Sequence, residues 1–188
     1  MKKLLFVSAA ILTATVLSLP APADDKPDSE GWVQLFNGKD LTGWKLPDNP
    51  NRAFTEIITT KNDAGAITCF DGKRPNGDLV HLWRFENGEI IGSGPSTHLF
   101  SERGDYVNFV FRVEAKINDG GNSGQYFRTK FEPGFPAGYE AQINATHSDP
   151  IRTGSLYPDG RTKLKEHKNE ICVMDTAPHK PAEWFTRR

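Results

Sequence analysis

The chain has 188 residues, with Lys+Arg 23 set against Asp+Glu 24 for a formal net charge of -1. That length suits one domain, and 37% hydrophobic with 25% charged residues is an ordinary globular mixture with no disordered or collagen-like bias. The even charge balance argues against nucleic acid as the partner, because phosphate binding needs a concentrated basic surface. Gly 17, Pro 13, Phe 12, Trp 4 and Tyr 4 favour a turn-rich β domain over a helix bundle.

The chain opens with Lys2 and Lys3, an apolar run from Leu4 to Leu19, and Ala21-Pro22-Ala23. A charged start, a short apolar core and a small-x-small site form a secretory signal peptide, expected over residues 1–23. The run is too short and too closely followed by Pro and acidic residues to anchor in a bilayer. Export to the periplasm or medium is therefore expected, with no membrane association of the mature form. Asp24 to Glu30 reads as a linker and residues 31–188 as the domain.

Trp32 to Trp44 carries apolar residues around an Asn37-Gly38 turn signal. Lys45 to Asp78 is rich in loop residues, so an irregular insertion is expected there, with at most a brief strand at Glu56 to Thr60. His81 to Gly92 is the clearest hairpin, its two arms flanking Asn87-Gly88, a type I′ signal. From Phe109 to Ile117 apolar and charged residues alternate at period two, which predicts a half-buried strand of nine residues. Gln125 to Lys130 and Tyr139 to Asn144 predict two more strands, separated by a Pro/Gly loop. No helical periodicity intervenes, so the fold class is all-β and antiparallel. The chain ends at Trp184-Phe185-Thr186-Arg187-Arg188, which reads as the start of a strand.

Cys69 and Cys172 lie far apart in sequence. In an oxidising compartment a disulfide closing a loop of about 100 residues contributes up to about 5 kcal/mol; two buried thiols are the alternative. Neither lies in a CxxC pair.

Alternation puts Glu140, Gln142 and Asn144 on one face of their strand, and Tyr139, Ala141 and Ile143 on the core side. A row of three hydrogen-bonding groups suits sugar hydroxyls; an ordinary solvated face is the alternative. Tyr126 and Arg128 share a face of the neighbouring strand, where a ring stacks on a sugar and a guanidinium bonds it bidentately. A cross-strand Arg128–Glu140 pair is the other reading, worth at most about 1 kcal/mol if exposed. Arg112, Glu114 and Lys116 would add polar groups if their strand shares that face. His147 beside Asp149 offers a base or metal ligand, against a plain surface histidine. His81, His98, His167 and His179 show no ligand spacing. Asn144-Ala145-Thr146 fits the glycosylation pattern by chance in a chain with this kind of leader.

Trp32-Val-Gln-Leu-Phe-Asn-Gly-Lys-Asp-Leu-Thr-Gly-Trp44, Gly121-Asn-Ser-Gly-Gln-Tyr-Phe-Arg128, Tyr139-Glu-Ala-Gln-Ile-Asn144 and Thr153-Gly-Ser-Leu-Tyr157 occur in that order. Together they resemble the 3-keto-disaccharide hydrolase domain, also called the 3-keto-alpha-glucoside-1,2-lyase/3-keto-2-hydroxy-glucal hydratase domain. The resemblance implies a concanavalin A-like jelly-roll sandwich with a concave sugar-binding face, here lacking the family's last C-terminal strands. It implies a 3-keto-glucoside as substrate, cleaved by loss of the C2 proton, expulsion of the C1 substituent and hydration of the glucal. Glu140 or His147 is the expected base and Arg128 the enolate stabiliser, with a divalent metal as the alternative in that role. Asn122, Tyr126, Gln142, Asn144 and Tyr157 are expected to bind substrate. Glucanases of similar fold carry three acidic residues where this chain has Glu140, Gln142 and Asn144, and ordinary glycoside hydrolysis needs two carboxylates. A second one would have to come from Glu114 or Asp149. A non-catalytic carbohydrate-binding module and an inert structural domain are the competing classes.

Overall fold

The computed structural model describes residues 27–48, 53–158 and 163–188; the expected leader and the start of the linker lie outside them. Its strands are β1 (Trp44–Lys45), β2 (Glu56–Lys61), β3 (Ile67–Lys73), β4 (Leu79–Glu86), β5 (Glu89–Gly92), β6 (Phe100–Ser101), β7 (Val113–Ala115), β8 (Ser123–Phe127), β9 (Tyr139–Ile143) and β10 (Phe185–Arg187). A 3-10 turn at Lys163–His167 runs into one helical turn, α1 (Lys168–Ile171). Every ladder is antiparallel, as the alternation and turn signals require. Strands β2-β3-β4-β5 form one sheet, and β1–β6, β7–β10 and β8–β9 pair in twos. Among the described residues no helix is long and apolar enough to cross a membrane.

The region expected to be an irregular insertion supplies half of the largest sheet. Strands β2 and β3 run through it with six register pairs, driven by β-branched Ile57, Ile58, Thr59, Thr60, Ile67 and Thr68. Its turn residues close tight connections: Asn62 Oδ1 accepts from the Ala64 and Ala66 amides, and Arg74 N bonds Asp78 O. Gly72 is needed for close approach, since a Cβ there would lie 2.5 Å from Phe54 Cδ1. Phe54 fills that space and is 2% exposed.

The Asn87-Gly88 hairpin forms as expected, with φ of 53° and 84° at its two central residues. The nine-residue strand does not. Only Val113–Ala115 enters a ladder, because β10 is the partner and offers three register pairs. Burial still alternates from Phe111 to Ile117, but Phe109 and Val110 are exposed. The expected Gln125–Lys130 strand is shifted to Ser123–Phe127 and stops where Arg128 takes φ 54°.

The Asn37-Gly38 signal builds a local cap instead of a hairpin. Asn37 Oδ1 accepts from the Lys39 and Asp40 amides, its Nδ2 donates to Asp40 Oδ1, and that oxygen accepts from Thr42 N. Burial pushes the Asp40 carboxyl up, but hydrogen bonds from Thr42 and Asn37 outweigh it and hold the carboxyl below its ordinary 3.8. Leu41 is fully buried next to this cap, and with Phe70, Leu82, Ile117, Ala141, Ile143 and Ile151 it belongs to the apolar core. Both cysteines are free thiols, so the disulfide alternative falls. Cys69 sits in the large sheet, and Cys172 Sγ faces the Leu156 carbonyl at 3.6 Å.

Candidate functional site

The β8–β9 ladder sets Gly124 opposite Gln142 and Tyr126 opposite Glu140. Alternation therefore collects Gly124, Tyr126, Glu140 and Gln142 on one face. Tyr126 Oη donates to Glu140 Oε2 at 2.5 Å, a length typical of a charge-assisted bond to a carboxylate. Gly124 is the reason the carboxylate fits, because a Cβ at that position would fall on Glu140 Oε1. The alternative of a cross-strand Arg128–Glu140 pair gives way to a tyrosine–carboxylate pair, since Arg128 bonds Val107 O.

Two residues that sequence reading passed over complete this corner. The His98 ring meets Tyr126 edge-on with centroids 4.8 Å apart, and meets Phe135 at 5.2 Å. Phe135 is 57% exposed, so its ring offers an open aromatic surface next to His98. Only the fold brings them here: His98 precedes β6 and Phe135 lies in the Pro/Gly loop before β9, with no local pattern linking either to Glu140.

Further along the same face the polar row turns inward. Gln142 and Asn144 are both 0% exposed. Gln142 Nε2 donates to Asn122 Oδ1 at 3.2 Å. Asn144 Nδ2 donates to the carbonyls of Asp149 and Ile151, while its Oδ1 accepts from His147 N. Asn144 thereby holds the 145–151 loop in place.

That loop presents His147 in one defined state. The backbone amide of Asp149 donates to His147 Nδ1 at 3.0 Å, and Asn122 Nδ2 lies 3.3 Å from the same nitrogen. Nδ1 is therefore an acceptor, and the neutral ring carries its proton on Nε2. Asp149 is itself committed: Oδ1 accepts from Ile151 N and Oδ2 from Tyr157 Oη at 2.9 Å. Arg152 closes the loop on the carbonyls of His147 and Asp149.

Arg128 lies apart from this row. Its left-handed backbone breaks the alternation that would align it with Tyr126, and Nη2 donates to Val107 O at 2.8 Å while the guanidinium lies 5.9 Å from the Phe109 ring centroid. Arg112, Glu114 and Lys116 are on the segment that pairs with β10, not on the β8–β9 ladder. Arg112 lies over Trp32 and Lys116 over Trp184. From β10, Arg187 reaches back to the carbonyls of Gln142 and Ser155, and its burial lowers the guanidinium pKa. The metal alternative finds no ligand group at Glu140: among the described residues, the one set of three suitable side chains is Cys69, Asp71 and His81 on the large sheet.

The family model for the 3-keto-alpha-glucoside-1,2-lyase-like domain matches residues 31–188. No curated protein and no solved structure matches the chain. The family's jelly-roll-like fold agrees with the all-β antiparallel architecture, and the matched span contains the whole Tyr126–Glu140–His147 arrangement. The chain belongs to the 3-keto-alpha-glucoside-1,2-lyase-like domain family.

Proposed function

We propose that this domain cleaves 3-keto-glucosides by elimination and rehydration, with Glu140 as the general base. The observation that carries the reading is the Tyr126–Glu140 bond of 2.5 Å, in a member of this family. A ketone at C3 acidifies the C2 proton. Glu140 takes that proton, and its electron pair moves into a C2–C3 enolate with charge on the C3 oxygen. The enolate collapses to re-form the ketone as the C1–oxygen bond breaks, and the departing alkoxide takes up a proton. Water then adds across C1=C2 of the glucal, oxygen to C1 and hydrogen to C2.

The remaining residues divide between donors and support. Tyr126 gives its one hydroxyl proton to a hydrogen bond with Glu140 Oε2 and so orients the base. His147, protonated on Nε2, is a donor for the leaving group or a sugar hydroxyl, which leaves the base role to Glu140. Asn122 and Gln142 brace His147 and the sheet face, Asn144 fixes the loop, and Tyr157 orients Asp149. Arg128 remains a candidate for a substrate group outside the row. Phe135 and Tyr126 offer the sugar-stacking surface.

Export by way of residues 1–23 belongs to the same proposal and is checked by N-terminal sequencing of the secreted product. The activity is tested by incubating the folded, purified chain with a 3-keto-glucoside and following 3-keto-glucose and glucal by mass spectrometry. Turnover supports the enzyme reading; glycan binding without turnover makes the domain a binding module instead.

A further inference from the structure

Cys69, Asp71 and His81 come together on the β3–β4 ladder because of a register shift. The pairs run Cys69↔Arg84, Phe70↔Trp83 and then Asp71↔His81, so β4 bulges at Leu82. Without the bulge Asp71 would face Leu82, which is fully buried in the core. With it, the imidazole of His81 is aimed at Asp71 and at the thiol two residues away.

The donor atoms converge on one point. His81 Nδ1 lies 2.5 Å from Asp71 Oδ1, Cys69 Sγ lies 3.3 Å from the same oxygen, and Sγ lies 3.5 Å from the same Nδ1. A cysteine nucleophile with a His–Asp relay needs the carboxylate on one ring nitrogen and the thiol on the other. Here both approach Nδ1, so a relay is excluded. A tetrahedral zinc with bonds of about 2.0–2.3 Å separates sulfur from nitrogen or oxygen by about 3.5 Å and nitrogen from oxygen by about 3.3 Å. The two sulfur distances fit that figure already. The His81–Asp71 distance reaches it by a small outward swing of the imidazole, whose side chain is 65% exposed.

We infer that Cys69, Asp71 and His81 form a binding site for a zinc-type divalent cation, with three protein ligands and an outward-facing fourth position for solvent. Thiolate, imidazole and carboxylate are the donor set such an ion prefers. Binding releases the thiol proton to solvent, leaves the neutral imidazole protonated on Nε2 in place of the Nδ1 that now faces Asp71, and replaces the present hydrogen bonds by three metal bonds. The adjacent positive charge of Arg84 is met by Glu86 at 3.1 Å and by Ser93 Oγ, which limits its opposition to a cation. The site is on a sheet that shares no ladder with β8–β9, and the inference does not depend on the proposed reaction.

The test is a Co(II) titration of the purified, reduced, metal-stripped chain, read by absorption. Stoichiometric binding with a thiolate-to-cobalt charge-transfer band and intense tetrahedral d–d bands, reversed by Zn(II), is expected. Cys69→Ser should remove the charge-transfer band, and Cys172→Ser should leave it unchanged. His81→Ala should weaken binding by at least about 10-fold. Circular dichroism verifies that each variant is folded. Absence of the band in the wild-type chain, its persistence in Cys69→Ser, or its loss in Cys172→Ser overturns the assignment.

Discussion

The hydroxyl of Tyr126 and the carboxylate of Glu140 meet at 2.5 Å across the β8–β9 ladder, over a glycine whose missing Cβ leaves the room. The relationship is set by register: Tyr126 and Glu140 are direct partners, and Gly124 is the next residue on the same face. It joins a base, a donor and a sterically silent neighbour in one short piece of sheet.

Removing the base is the sharpest chemical test of this corner. Glu140→Gln keeps shape and one hydrogen-bond acceptor for Tyr126 but cannot take a proton. We expect kcat on a 3-keto-glucoside to fall about 10²–10⁴-fold with the melting temperature little changed. Near-normal turnover would move the base role elsewhere.

Gly124→Ala tests the packing argument without touching a functional group. The added methyl must displace the Glu140 carboxylate or the strand. A destabilisation of about 1–3 kcal/mol is expected, together with loss of turnover, in urea unfolding and kinetic assays. An alanine variant with wild-type activity would show that the carboxylate does not need that position.

Much of this was legible in the sequence, and the failures have physical causes. The β8 and β9 strands, the Asn87-Gly88 hairpin and the inward Ala141 and Ile143 follow from period-two alternation and turn chemistry, which are local. The β2–β3 arm reads as loop because Asn62, Asp63 and Gly65 between its strands, and Pro75, Asn76 and Gly77 after them, resemble one long irregular stretch, although they form tight turns. Arg128 leaves the expected face because its own left-handed backbone ends the alternation. His98 joins Tyr126, and Phe135 joins His98, only through tertiary packing. Likewise, a bulge at Leu82 is what gathers Cys69, Asp71 and His81, and no spacing rule anticipates it.

Asn144→Ala should act on stability first. The amide is fully buried and serves two carbonyls and one backbone N–H. Leaving such groups unpaired costs about 1–3 kcal/mol each, so at least about 2 kcal/mol and a drop of several degrees in Tm are expected by calorimetry. A change below 0.5 kcal/mol, by order of magnitude the level of an ordinary surface substitution, would contradict the loop-anchoring role.

Acid sensitivity should trace in part to Asp40. Its folded-state pKa is depressed below 3.8, so its contribution is fully present above 3.8 and is lost as pH falls through the lower folded value. Urea midpoints measured between about pH 5 and pH 2 should decline in the wild type. In Asp40→Asn they should start lower and decline less steeply. Parallel curves for the two proteins would remove Asp40 from the acid transition.

The central claim is proton abstraction at C2, and the most direct measurement is turnover of a 3-keto-glucoside in deuterated water. The expected product is 3-keto-glucose carrying deuterium at C2, formed faster than in buffer alone and about 10²–10⁴-fold more slowly by Glu140→Gln than by the wild type. Enzymatic release of 3-keto-glucose with hydrogen retained at C2 would contradict it, since the glycosidic bond would then have broken without elimination.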